Sequence, residues 1–172
     1  MKKERAQKPD KNSRDYLEGR LRYARSVVLV ILLMTLINLV FLFLEYDRYF
    51  LFSASVPYYG VAIAKIFDLD TTLPLAAAAV ILAGYLVCWI LAKKRAGAVT
   101  AALVMFSLDT LALLGITFGL MEEPLTNLMD ILFHILAIAE LAVGVSAASK
   151  LKKLPAEPGE GAPPPEDGIL YS

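Results

Sequence analysis

One cysteine (Cys88), one tryptophan (Trp89) and one histidine (His134) are all that 172 residues hold of these three types. A single cysteine excludes an internal disulfide and any cysteine-based metal cluster. The spacings GxSxG, HExxH and CxxC are missing as well, so the common hydrolytic, metalloprotease and redox chemistries lack their residue sets. Charge is scarce: 20% of residues are charged, against about 25% in soluble domains. The 17 Lys+Arg cancel the 17 Asp+Glu, which leaves no net basic charge for nucleic acid. What fills the space is apolar. The chain is 58% hydrophobic with a mean hydropathy of +0.59, where about 45–50% is usual. A soluble enzyme, a disordered chain and a nucleic-acid binder are all excluded by this balance.

The apolar excess is clustered into four runs. Ser26 to Leu44 (SVVLVILLMTLINLVFLFL) carries no charge; Leu73 to Ala92 opens with Pro74 in its first turn; Ala98 to Leu120 and Leu128 to Ser149 follow. Each is long enough to cross a hydrocarbon core of about 30 Å at about 1.5 Å per residue. A bilayer offers backbone groups no partners, so each run must be helical. The expected fold is an all-α, four-helix transmembrane bundle spanning 26–149, between a basic tail (1–25) and a Pro/Gly-rich, disordered tail (150–172). Residues 12–25 predict a helix running on into the first span, aided by Glu18 and Arg22 at helical spacing.

Fifteen of the 17 basic residues fall on one side if there are four crossings: nine before Ser26, then Lys93, Lys94 and Arg95, then Lys150, Lys152 and Lys153. Only Arg48 and Lys65 fall opposite. The positive-inside rule then puts both termini in the cytoplasm of a multi-pass cell-membrane protein. Ser53-Ala54-Ser55 has the small residues of a signal-peptide cleavage site. The preceding run is too long for such a peptide, however, and Glu45, Asp47 and Arg48 intervene, so an uncleaved anchor is expected. Between the first two spans, 49–67 (YFLFSASVPYYGVAIAKIF) is nearly a fifth span, but Pro57, Gly60 and Lys65 interrupt it. It is expected outside, in the headgroup region or packed on the bundle, with Tyr46, Tyr49, Tyr58 and Tyr59 suited to an interface.

The stretch IFDLDTTL (66–73) resembles the signature of haloacid-dehalogenase-type phosphatases, whose first Asp is the nucleophile and second a general acid/base. Thr71 stands where that pattern has Gly, and a span follows directly, leaving no room for the α/β sheet the chemistry needs. Asp70 or Thr72 as a cap for the second span is the expectation instead. Asp68-x-Asp70 also lacks the later ligands of a calcium loop.

Ionisable groups inside spans carry more weight, since each costs about 2.5–3.5 kcal/mol at a helix centre. Asp109 lies mid-way along the third span and Glu140 mid-way along the fourth, with Asn38 of the first at a comparable depth. No Lys or Arg lies within a span to neutralise them. His134 shares a face with Asp130 four residues earlier, while Glu140 points about 120° away from it. One expectation is a proton or cation site of Asp109 and Glu140, with His134 near its external mouth and Asn38 close by. The other is buried polar links between helices, bonded to Asn38, Thr110 or Thr117. Small residues (Gly115 and Gly119, Ala79 and Ala83, Gly144 and Ala148) serve close helix packing, within the bundle or in a dimer.

Three stretches, FLFSASVPYYG (50–60), SLDTL (107–111) and DILFHILAIAELAVGVSAASKLKKLP (130–155), are similar to small four-span membrane proteins of Gram-positive anaerobic bacteria. That resemblance implies a shared PYYG segment and shared Asp109 and His134 regions, and it implies no activity. The expected function is therefore action through helix or protein contacts. Catalysis, cofactor and metal are not expected; the partners are the lipid bilayer and a second copy or another membrane protein. The alternative is a small oligomeric proton or cation channel or transporter built on Asp109 and Glu140.

Overall fold

The computed structural model describes residues 11–46, 48–93, 95–120 and 124–155. Residues 1–10, 47, 94, 121–123 and 156–172 lie outside them, and with the last the expected disorder of most of the C-terminal tail; Lys150 and Leu151, the start of that expected tail, instead belong to the last helix. All the described secondary structure is helical: α1 (Arg14–Phe43), α2 (Ser55–Ile66), α3 (Thr72–Leu91), α4 (Gly97–Leu120) and α5 (Leu128–Leu151), with a 3-10 turn at Pro124–Asn127 before α5. α1, α3, α4 and α5 are each long and apolar enough to cross a membrane. The chain is an all-helical multi-pass membrane protein, and these helices coincide with the four apolar runs to within a few residues, save where α1 starts earlier.

That early start has a simple cause. Ser13 caps α1, its hydroxyl accepting from the Tyr16 N–H, so about three basic turns are added before the apolar run begins. α1 then lies along α5 in the opposite direction. Gly144 makes this possible, because Ala24 of α1 sits where a Cβ on Gly144 would be. Ala24, Val28 and Ile31 of α1 join Val99, Ala102 and Phe106 of α4, Tyr85 of α3 and Ala137 and Leu141 of α5 in one buried core. Both described ends of the chain lie at one end of the bundle, here the basic end, with Arg14, Arg22, Lys93 and Lys150.

α1 and α2 stop without glycine. Glu45 (φ 56°) and Asp68 (φ 52°) take the left-handed conformation just past each helix. The following N–H groups reach back five residues, Tyr46 to the Phe41 carbonyl at 3.0 Å and Leu69 to that of Ala64 at 2.8 Å. This closes each helix in a Schellman motif, and Tyr46 packs edge-on against Phe41 as that motif favours. A Cβ is strained there. Glu45→Gly should therefore raise stability by about 0.5–1 kcal/mol, read as a melting shift of about 1–4 °C.

Of the two placements expected for the segment between α1 and α3, the structure takes the packed one and not the headgroup region. After α1 the chain turns back into the bundle, and Ser53, Ala54 and Ser55 are fully buried. α2 then carries it outward to Ile66 and Phe67, which are exposed. By helix rise, Asp109 lies roughly 17 Å from the Leu120 end of α4, and α2's 12 residues span roughly 18 Å. The segment is a re-entrant hairpin, and Ser53-Ala54-Ser55 is its buried tip. Beyond it, Asp70 accepts from the Thr72 N–H at 2.8 Å and opens α3. These bonds from Thr72 hold the exposed carboxyl below the usual range. The cap position of α3 is Thr71, whose side chain makes no cap bond, so Asp70 serves the first N–H from one residue before it, and Asp68 ends a helix.

Candidate functional site

A non-helical turn inside a membrane domain must find partners for every backbone group. The hairpin tip does so with side chains from three spans. Asn38 of α1 uses its whole amide: Oδ1 accepts from the Phe50 N–H at 2.8 Å, and Nδ2 donates to the Phe50 carbonyl at 2.7 Å and to Ser53 Oγ at 2.9 Å. Thr35, one turn earlier, accepts the Ala54 N–H at 2.7 Å. Two polar residues on one face of an otherwise apolar helix thus hold the incoming strand of the hairpin.

The start of α2 is satisfied from α4. Its cap residue is Ala54, which has no side chain able to accept. Asp109 supplies the missing cap across the bundle: Oδ2 accepts from the Ser55 N–H at 2.7 Å and Oδ1 from the Val56 N–H at 2.8 Å. The next residue, Pro57, has no N–H to satisfy. All the free donors of the first turn are therefore accounted for, and a carboxylate faces the positive end of the helix dipole. Asp109 is 6% exposed.

His134 of α5 completes the cluster. It is fully buried and stacks flat on Phe106, with 4.7 Å between ring centroids. Nδ1 lies 2.9 Å from the Asp130 carbonyl, which can only accept, so Nδ1 carries a proton. Nε2 lies 3.2 Å from Ser55 Oγ and 3.4 Å from Asp109 Oδ2. The Asp130 carboxyl is 3.5 Å from Nδ1 through Oδ1 and accepts from the Tyr49 hydroxyl at 3.1 Å through Oδ2. Burial first, then the Asp130 charge, pushes the Tyr49 pKa up, so this phenol stays a donor. Tyr59 is shifted the same way, mainly by burial, and accepts from Asn127, which also donates to Thr117.

The candidate residues separate accordingly. Asp109, His134 and Asn38 all meet at the hairpin, though Asn38 bonds the loop and not Asp109, and Thr110 bonds only the Phe106 carbonyl of its own helix. Glu140 is elsewhere. Its Oε2 accepts from Arg20 Nη2 at 2.8 Å, with both side chains under one-third exposed. The expectation that no cation reaches it is corrected: Arg20 lies outside the apolar run but on the same continuous helix, and a long side chain bridges the depth. The spacing that turns Glu140 about 120° from His134 has already taken it off the inward face. Gly144 is spent inside the bundle, whereas a Cβ on Gly115 or Gly119 would meet nothing.

Ser55, noted in the sequence only as part of a cleavage-like tripeptide, stands in a line with His134 and Asp130 that has the outline of a nucleophile, base and orienting acid. An acyl-transfer site also needs free donors for an oxyanion. The N–H groups placed to serve, those of Ser55 and Val56, are held by Asp109, and Ser55 is fully buried. Among the described residues no three His, Cys, Asp or Glu side chains are arranged to hold a metal ion. The arrangement is a polar lock that ties α1, α4 and α5 to one hairpin. Comparison with protein-family models, with curated proteins and with solved structures gives no match for this chain.

Proposed function

We propose that the protein works in the cell membrane through helix contacts and not through catalysis, with its basic end toward the cytoplasm, and that its partner is a second copy docked along α4. The orientation follows from the basic residues gathered at one end. The absence of catalysis is supported by Asp109 occupying the donors beside Ser55. The single observation that carries the reading is the sorting of the glycines. Gly144 is filled by Ala24, while Gly115 and Gly119 open onto empty space on the outer face of α4.

That face is a seam. Ala101, Val104, Leu108, Leu111, Gly115 and Phe118 are all exposed and alternate at three- and four-residue spacing, the repeat by which two helices interlock. In lipid there is no hydrophobic drive between helices, so close approach at small residues has to supply the attraction. A patch used identically by both copies closes into a dimer. Crosslinking the full chain in native membranes should capture that dimer. Gly115→Leu with Gly119→Leu should lower dimerisation about tenfold or more, about 1.4 kcal/mol, while the monomer stays folded. Monomer alone at every protein density, or a dimer indifferent to both leucines, would defeat the proposal.

A further inference from the structure

At the basic end, α1, the α3–α4 turn and the end of α5 enclose a cavity of about 460 Å³ that the polar lock does not use. Its wall carries four cations, Arg14, Arg22, Arg25 and Lys93, and one acid, Glu18; Leu21, Ala92 and Leu151 form an apolar floor. The formal charge of the lining is +3. Arg25 is fixed by donating from Nε to the Trp89 carbonyl at 3.0 Å and lies 4.8 Å over the Trp89 ring. Arg14 is held by donating to the Pro155 carbonyl at 2.9 Å. Arg25 is thus set in place by neutral groups, and among the described residues no carboxylate lies within 4.0 Å of it. The helical spacing of Glu18 and Arg22 suggests an ion pair, yet among the described residues they form none within 4.0 Å.

Arg22, Arg25 and Lys93 around one cavity repel each other, and water alone would screen them poorly beside an apolar floor at a bilayer surface. An anion that brings its own apolar body answers both features. We infer that this cavity binds the headgroup of an anionic phospholipid, its phosphate between Arg22, Arg25 and Lys93 and its glycerol and upper acyl carbons on Leu21, Ala92 and Leu151. Guanidinium groups suit a phosphate through paired N–H donors, and Lys93 adds a mobile point charge. The position is where basic pockets between spans meet lipid phosphates. This inference is independent of dimerisation, since the cavity and the α4 seam involve different residues.

Native mass spectrometry of the full chain, released from nanodiscs of phosphatidylcholine with one-fifth cardiolipin or phosphatidylglycerol, tests it. The anionic lipid should remain bound under collisional activation that strips phosphatidylcholine. Arg22→Gln with Lys93→Gln should weaken retention about thirtyfold, about 2 kcal/mol at 1.4 kcal/mol per decade. Both side chains are exposed, so folding should be untouched, with circular dichroism as the check. Arg22→Lys with Lys93→Arg keeps the charge and should keep most of the lipid. Equal retention of phosphatidylcholine, or of the anionic lipid by the glutamine variant, would overturn the proposal. Displacement of the lipid by millimolar glycerol phosphate would assign the cavity to a soluble anion and overturn it too.

Discussion

Asp109→Ala should free the re-entrant hairpin while leaving the four spans helical. The substitution strands the Ser55 and Val56 N–H groups, whose acceptors are the two carboxyl oxygens of Asp109. A hydrogen bond to a charged acceptor contributes about 1.5–3 kcal/mol, so two of them make the cost about 3–6 kcal/mol. That is a large share of the roughly 5–15 kcal/mol that holds a folded domain. The hairpin has little with which to resist. Its tip already holds Phe52 at φ 64°, a strained conformation for a bulky residue. Asn38 and Thr35 would still hold Phe50 and Ala54, so the expected product is a hairpin anchored on α1 with α2 swung out.

A cysteine at Ala62, in a Cys88→Ser background, reports the release. Ala62 is buried on α2 and should resist a membrane-permeant maleimide in the parent protein and react in the Asp109→Ala variant. Asp109→Asn should fall between, at about 1–3 kcal/mol, because its carbonyl replaces one acceptor while its amide N–H meets a second donor. Circular dichroism should show little loss of helix in either. Protection of the Ala62 cysteine in the alanine variant, with an unchanged melting temperature, would mean that Asp109 is not the cap on which α2 depends.

The sequence shows the spans plainly and the hairpin poorly, and the difference is physical. Span helices satisfy their own backbones, so hydropathy and length suffice to place them, and Pro74 even marks the first turn of α3. α2 is stabilised from outside itself: Ala54 is no cap, Pro57 reads as an interruption, and the acid that makes the helix possible is 54 residues away in the chain. Asp109 and His134 stand out as costly groups in apolar runs, and Asp130–His134 follows from helical spacing. Arg20 hides because it sits before the hydropathy boundary, although α1 ignores that boundary. The one available hint of the lock was Ser53-Ala54-Ser55 together with Asn38, short polar residues at places where an apolar residue would serve a membrane surface better.

The largest effect on the bundle itself is expected at Gly144. A Cβ there would overlap Ala24, with Val99 Cγ1 at 3.7 Å closing the other side. Neither neighbour is the free end of a flexible chain, so α1 and α5 must part. Overpacking of this kind costs about 1–3 kcal/mol for one added carbon, and Gly144→Leu should prevent assembly. Parting the helices also loosens the Arg20–Glu140 and Arg14–Pro155 contacts, which lie along the same seam. Gly84 is the control. Its Cβ would meet the Met105 side chain, the methyl at 2.8 Å and the sulfur at 3.5 Å, and a flexible thioether can yield. Gly84→Ala should cost little, because the roughly 1 kcal/mol gained from helix propensity offsets that shift. The decisive measurement is a cycle of Gly144→Ala with Ala24→Gly. Helix propensity enters each single variant and cancels in the coupling, so the remaining interaction is that of two carbons competing for one space. The double variant should recover about 1–3 kcal/mol relative to the sum of the singles, and additive effects would show that α1 and α5 do not meet at this pair.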